Sequence, residues 1–216
     1  YCRALTELTI PDSVTNIETA AFTNCEGLTK ITLSKNITII ENSLFANCIS
    51  LSQISLPEKI TSIAEYAFNE CTRLKTVTIP DRVSRIGANA FDHCSSLTEI
   101  AIPNNVTIIE NHTFYCCTSL AKVTLPQNIT SIGMSAFASC QKLQSITIPQ
   151  SVTSIGTSAF SECSSLKNIS IPQNVTALEW CAFYGCTSLT TISLPEKLTK
   201  IATLAFGECI SLVSIT

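Results

Sequence analysis

The chain has 216 residues, 13 Lys and Arg against 16 Asp and Glu for a formal net charge of −3, and a mean hydropathy of +0.33. The basic residues are scattered singly along the sequence, which argues against nucleic acid, since phosphate binding needs a clustered cationic surface. No apolar run approaches the roughly 18 residues of a membrane-spanning helix, so no membrane span is expected in this segment.

Periodicity organises everything else. The nine phenylalanines stand at Phe22, Phe45, Phe68, Phe91, Phe114, Phe137, Phe160, Phe183 and Phe206, each step 23 residues. Leucine keeps the same interval from Leu5 to Leu212, and cysteine from Cys2 to Cys209. Self-similarity at this interval marks a stacked repeat, and 23 lies within the roughly 20–29 residues of a leucine-rich repeat. Residues 1–216 are therefore expected to form a single array of about nine coils, each touching only its neighbours. The sequence opens at Tyr1 without Met and closes at Thr216 inside a strand pattern, with no polar cap at either end. This reads as a fragment lacking both caps, with end-to-end self-association as a further expectation.

Within one coil the elements follow in order, as in CISLSQISLPEKITSIAEYAFNE beginning at Cys48. Ile54 and Leu56 flank Ser55, the alternation of a strand. Pro57 ends it, because proline has no N–H for a ladder. Ile60 and Ile63 suit a corner or a second short strand. Ile63, Ala67 and Phe68 are spaced for about one helical turn, and Cys71 and Leu74 lead to the next strand. Identical residues then stack about one strand spacing apart, roughly 4.8 Å, with a parallel sheet along one side and short 3₁₀ or helical turns on another.

The string ITIPQSVTSIGTSAFSECSSL from Ile146 to Leu166, and the Leu-x-x-Ile-x-Ile-Pro and Ala-Phe-x-x-Cys signatures, resemble the BspA-like leucine-rich repeats of bacterial and protist surface proteins. The match runs the length of the chain. Ser34 in the Pro column, and Leu44 and Thr113 in the Ala column, depart from it without blurring a boundary. The resemblance implies a right-handed solenoid, and a role in adhesion to host proteins, host cells or other microbes at the cell surface or outside the cell.

The Phe ladder is expected to be a buried spine, because every coil has one. The Cys ladder is read as buried unpaired thiols; bridging of neighbours and zinc are the alternatives, but metal ligands usually come in tight pairs and these are 23 apart. His93, Cys94, Cys116 and Cys117 form a metal-like neighbourhood, read as coincidence at a turn. No metal or cofactor is expected, and no catalytic constellation is recognised, so the chain is read as a non-enzyme.

Binding is expected in what varies. On the strand the outward column Glu7, Lys30, Gln53, Thr76, Glu99, Lys122, Ser145, Asn168 and Thr191 changes in charge and size, whereas its companion, Thr9 to Ser193, is an almost uniform Thr/Ser ladder. Tyr66, Tyr115, Trp180 and Tyr184 are the large candidates beside Phe, and Trp180 with Tyr184 forms a candidate hot spot. Six N-x-[ST] sequons occur, four of them one column repeated at Asn36, Asn105, Asn128 and Asn174. The leading expectation is a protein-recognition module of adhesin type whose partner is a host, matrix or surface protein. The alternative is an intracellular, cytoplasmic scaffold or spacer, favoured by the thiols.

Overall fold

The computed structural model describes residues 2–216 as a β-solenoid with one coil per 23 residues. Two files of parallel strands run along it. The first is built of three-residue strands such as Lys30–Thr32, Gln53–Ser55 and Thr76–Thr78; the second of two-residue strands such as Ile39–Ile40, Ser62–Ile63 and Arg85–Ile86. The register is one coil throughout: Glu7 pairs with Lys30, Gln53 with Thr76, Ile40 with Ile63. The Ile60–Ile63 spacing thus marks a second strand. Between the files the chain turns at proline, the Ile60 N–H donating to the Pro57 carbonyl at 3.0 Å.

The third side differs from expectation. It carries no 3₁₀ or helical residue among those described, and is a stack of turns. In every coil the residues two before and two after Phe have positive φ, from Ala20 and Asn24 to Leu204 and Glu208. A left-handed residue on either side of Phe ends any right-handed helical run. It also turns alternate peptide planes along the array axis. The N–H groups of Ser43, Phe45 and Asn47 therefore donate to Glu65, Ala67 and Asn69 of the next coil at 2.8–2.9 Å, while those of Leu44, Ala46 and Cys48 close turns within the coil. The inward spacing of Ile63, Ala67 and Phe68 is met equally well by this arrangement, so it could not separate the two. Each left-handed non-glycine residue costs roughly 1–2 kcal/mol, and seventeen of the eighteen are non-glycine. Each inter-coil hydrogen bond returns about 1 kcal/mol, and the remainder comes from burial.

That burial is the spine. Successive Phe rings stack with centroids 5.3–5.9 Å apart and planes within 15° of parallel. Rings 45 to 183 are fully enclosed, together with the Leu column, the two Ile columns and the Ala beside Phe. The departures from the repeat are accommodated. Ser34 is buried in place of Pro, its hydroxyl donating to the Val14 carbonyl at 2.6 Å, and Thr113 in place of Ala donates to the Glu110 carbonyl at 2.8 Å.

The Cys column has a role that its spacing did not indicate. From Cys48 to Cys209 the ladder thiols donate to the Phe carbonyl of the coil below, at 3.0–3.3 Å. Cysteine is small and apolar enough for the core while carrying a weak donor that an alanine would lack. Burial pushes these thiols up, to about 12 at Cys48 and Cys163.

Candidate protein-interaction surfaces

The three-residue strands turn their middle side chain inward and their flanking side chains out. Lys30, Gln53, Thr76, Glu99, Lys122, Ser145, Asn168 and the rest of the variable column are accordingly all exposed. The ladder beneath them is not continuous. Lys30–Thr32 pairs with Glu7–Thr9 but not with Gln53–Ser55, and Thr76–Thr78 pairs with Gln53–Ser55 but not with Glu99–Ala101. A third break falls at Ser145, whose coil forms no strand between Lys122–Thr124 and Asn168–Ser170. The first two breaks lie under depressions. One, of about 730 Å³, is lined by Lys30, Lys35, Gln53, Glu58 and Thr76; the other, of about 270 Å³, by Thr76, Glu99, Ala101 and Lys122. Hence five members of the variable column lie around two hollows in the strand face. Nothing in the sequence marks the breaks, because the strand pattern is the same in every coil.

The Phe edge presents a different surface. Of the four aromatic candidates, Trp180 (51% exposed) and Tyr66 (43%) stand out in solvent, whereas Tyr115 and Tyr184 are half-buried. Tyr184 lies over Gly207, where an added Cβ would come within 2.8 Å of its Cδ2. It therefore packs on the coil above. Tyr115 is held edge-on between His93 and His112, with centroids at 5.4 and 5.7 Å, which gives His112 a partner.

His93 meets Asp92 through Nδ1 at 2.6 Å, with Glu70 at 3.8 Å from the coil below. Burial pushes the Asp92 carboxyl up, against the lowering effect of the His93 hydrogen bond. Cys116 follows His93 in the same column. Its thiol is pushed up by burial, with hydrogen bonds to Tyr115 and Ser139 opposing the shift, and so is held protonated. A catalytic thiol requires the reverse, a depressed value beside a base. Among the described residues no three His, Cys, Asp or Glu side chains converge on a point that a metal ion could occupy.

The repeated sequon column has a structural reason. The Nδ2 groups of Asn36, Asn105, Asn128 and Asn174 each donate to a backbone carbonyl of the preceding coil at 2.7–3.3 Å. Asn111 instead accepts from the Met134 N–H through Oδ1 at 2.8 Å.

Comparison with known proteins agrees with this architecture. The model of the BspA type leucine-rich repeat region matches residues 1–120 and 107–216, with six copies. A leucine-rich repeat protein from Bacteroides ovatus is 31% identical, with a TM-score of 0.76 over 97% of this chain. The chain spans 60% of that protein's length. A leucine rich cell surface protein from Faecalibacterium prausnitzii is 30% identical over 98% of this chain and 78% of its own, with a TM-score of 0.56. The leucine-rich repeat protein of T. pallidum is 27% identical over 96% of this chain and 78% of its own, also at 0.56. No curated protein matches the chain. A family model that matches along the whole sequence and a similar fold in a protein 31% identical lead to one assignment: the chain belongs to the family of BspA-type leucine-rich repeat proteins.

Proposed function

We propose that this leucine-rich repeat scaffold is a non-enzymatic protein-recognition module of a cell-surface, adhesin-type protein, and that its strand face reads the partner. The observation that carries the reading is the coincidence of the variable column with the two depressions. Lys30, Gln53, Thr76, Glu99 and Lys122 differ in charge and size, and line hollows where the ladder is interrupted. An extended repeat surface binds through many such modest contacts, with selectivity set by the side chains that vary from coil to coil. The cell-surface setting is supported by the similarity to the F. prausnitzii cell surface protein.

The thiol ladder does not argue for a reducing compartment. Thiolate, not thiol, is the reactive form, and these groups are buried and held protonated. A cytoplasmic scaffold therefore loses its main support.

Beads coated with the array are expected to adhere to cultured epithelial cells. A variant carrying Lys30→Ala, Gln53→Ala, Glu99→Ala and Lys122→Ala should lose most of that adhesion while keeping its melting temperature. Equal adhesion by the variant would sink the strand-face assignment. Absence of adhesion by the parent array would sink the adhesin reading itself.

A further inference from the structure

The Phe edge differs in composition from the rest of the molecule. Consider, in each coil, the seven residues from four before Phe to two after it. Over nine coils these positions hold nine of the 16 carboxylates, both histidines and none of the 13 Lys and Arg. With histidine neutral the edge carries −9, and the remainder, with thirteen bases against seven acids, carries +6, together the −3 of the whole. The basic residues that look scattered along the sequence are thus confined to the other sides of the coil.

Aromatic residues are segregated in the same way. Every Tyr and Trp among the described residues lies on this edge, and so does Met134, 41% exposed. Met134 borders a groove of about 500 Å³ floored by Gly133 and Gly156, with Glu179 on its rim and Trp180 next in sequence. The glycines make this groove, because they replace the Glu that Glu110 and Glu179 supply in the same column. Arg85 and Lys200 reach in from the neighbouring strand file to pair with Glu65 and Glu179. Among the described residues, Glu18, Glu41, Glu162 and Glu208 have no Lys or Arg partner.

We propose that the Phe edge is a second docking surface, separate from the strand face, and that its partner is a lysine- or arginine-rich segment of another protein. Exposed aromatic faces take a guanidinium or ammonium by cation–π contact, with Trp the strongest. Carboxylates close by supply charge-assisted hydrogen bonds. The groove over Gly133 and Gly156, bordered by the exposed Met134 side chain, accepts the aliphatic stem of the same side chain. Exposed apolar side chains alone would suit an apolar partner. Their coincidence with an edge whose nine carboxylates are met by no Lys or Arg of its own, and from the neighbouring file only by Arg85 and Lys200, commits the surface to a cationic one.

A fluorescein-labelled peptide of alternating Arg and Gly, titrated into the intact chain at low salt and read by anisotropy, tests the assignment. Trp180 is the only tryptophan of the chain, so its emission reports contact independently. Trp180→Ala should weaken binding about fivefold. The double variant Glu162→Gln and Glu179→Gln should weaken it more, and raised salt should abolish it. Glu7→Gln with Glu99→Gln, the same charge change on the strand face, should leave it unaltered. If that control weakens binding as much, or Trp180→Ala has no effect, the attraction is to net charge only and the proposal fails. Tight binding of a Glu–Gly peptide would overturn it as well. Salt-sensitive self-association of the chain alone, lost in the Glu162→Gln and Glu179→Gln variant, would assign the edge to the +6 surface of a second copy and overturn it too. Each of these results is independent of whether the strand face binds cells.

Discussion

On the strand face the outward side chains sit on extended backbone that any residue adopts, and the column from Glu7 to Thr191 changes freely in charge and size beside the almost uniform Thr/Ser column. On the Phe edge, two residues of every seven are held at φ of 51–69°, hydrogen-bonded to the next coil through the backbone and backed by a stacked ring. The strand face is thus a place where composition changes at little energetic cost. The Phe edge carries the mechanical continuity of the solenoid through its backbone and its spine, while side chains as different as Tyr66, His112, Ser135 and Leu204 occupy one left-handed column. Such a division lets an array keep one architecture while its recognition surface diverges.

The largest test of this contrast is alkaline. Seven ladder thiols, Cys48 to Cys186, are pushed up by burial. Below an ordinary thiol value of 9.0 the folded and unfolded chains both keep these protons, and the stabilisation is complete. As pH rises from there towards about 12, the unfolded chain loses protons that the folded chain retains, so stability falls. The loss is about 1.4 kcal/mol per thiol per pH unit, roughly 10 kcal/mol for the seven together. Cooperative unfolding is expected within about a pH unit above that ordinary value, measured by far-UV circular dichroism. Cys117→Ala should lower the pH slope by one proton, and an unchanged slope would break the account of the ladder.

Next in size is the spine. Phe114→Ala should cost about 3–5 kcal/mol through lost burial and a cavity, read as a fall in the denaturation midpoint. A midpoint equal to that of the parent would remove the Phe ladder from its place at the centre of the fold.

A smaller effect isolates backbone strain. Gly185 is the one glycine among the eighteen left-handed positions, and an added Cβ there would only touch the Glu162 Cγ at 3.4 Å. Gly185→Ala should therefore cost about 1–2 kcal/mol from φ alone. Gln53→Ala on the strand face should stay within about 0.5 kcal/mol. Equal losses at the two sites would erase the contrast between the surfaces.

Much of the fold was legible before any coordinates. The Phe, Leu and Cys intervals determined a stacked array, the alternation at Ile54 and Leu56 determined one strand file, and the Ile60–Ile63 step allowed the second. These follow from sequence because a column repeated in every coil is a packing requirement repeated in every coil. The third side was not legible. The spacing of Ile63, Ala67 and Phe68 fits a helical turn as well as a left-handed pair around Phe, and the side chains at the left-handed positions, Tyr66, His93 or Leu204 among them, carry no common signature of positive φ.

Of the surfaces, the variable column from Lys30 to Asn168 was readable as outward-facing, since strand alternation fixes which side chains leave the core. Three things needed the tertiary structure. The ladder breaks place Lys30, Gln53, Thr76, Glu99 and Lys122 around hollows, although the strand sequences on either side of each break look alike. Tyr184 turned out to pack on Gly207 while Trp180 stands free, because which side chain covers which depends on the coil above. Finally, charges scattered singly along the chain collect into an anionic edge and a cationic remainder, because coiling brings together in space residues that lie 23 apart in sequence.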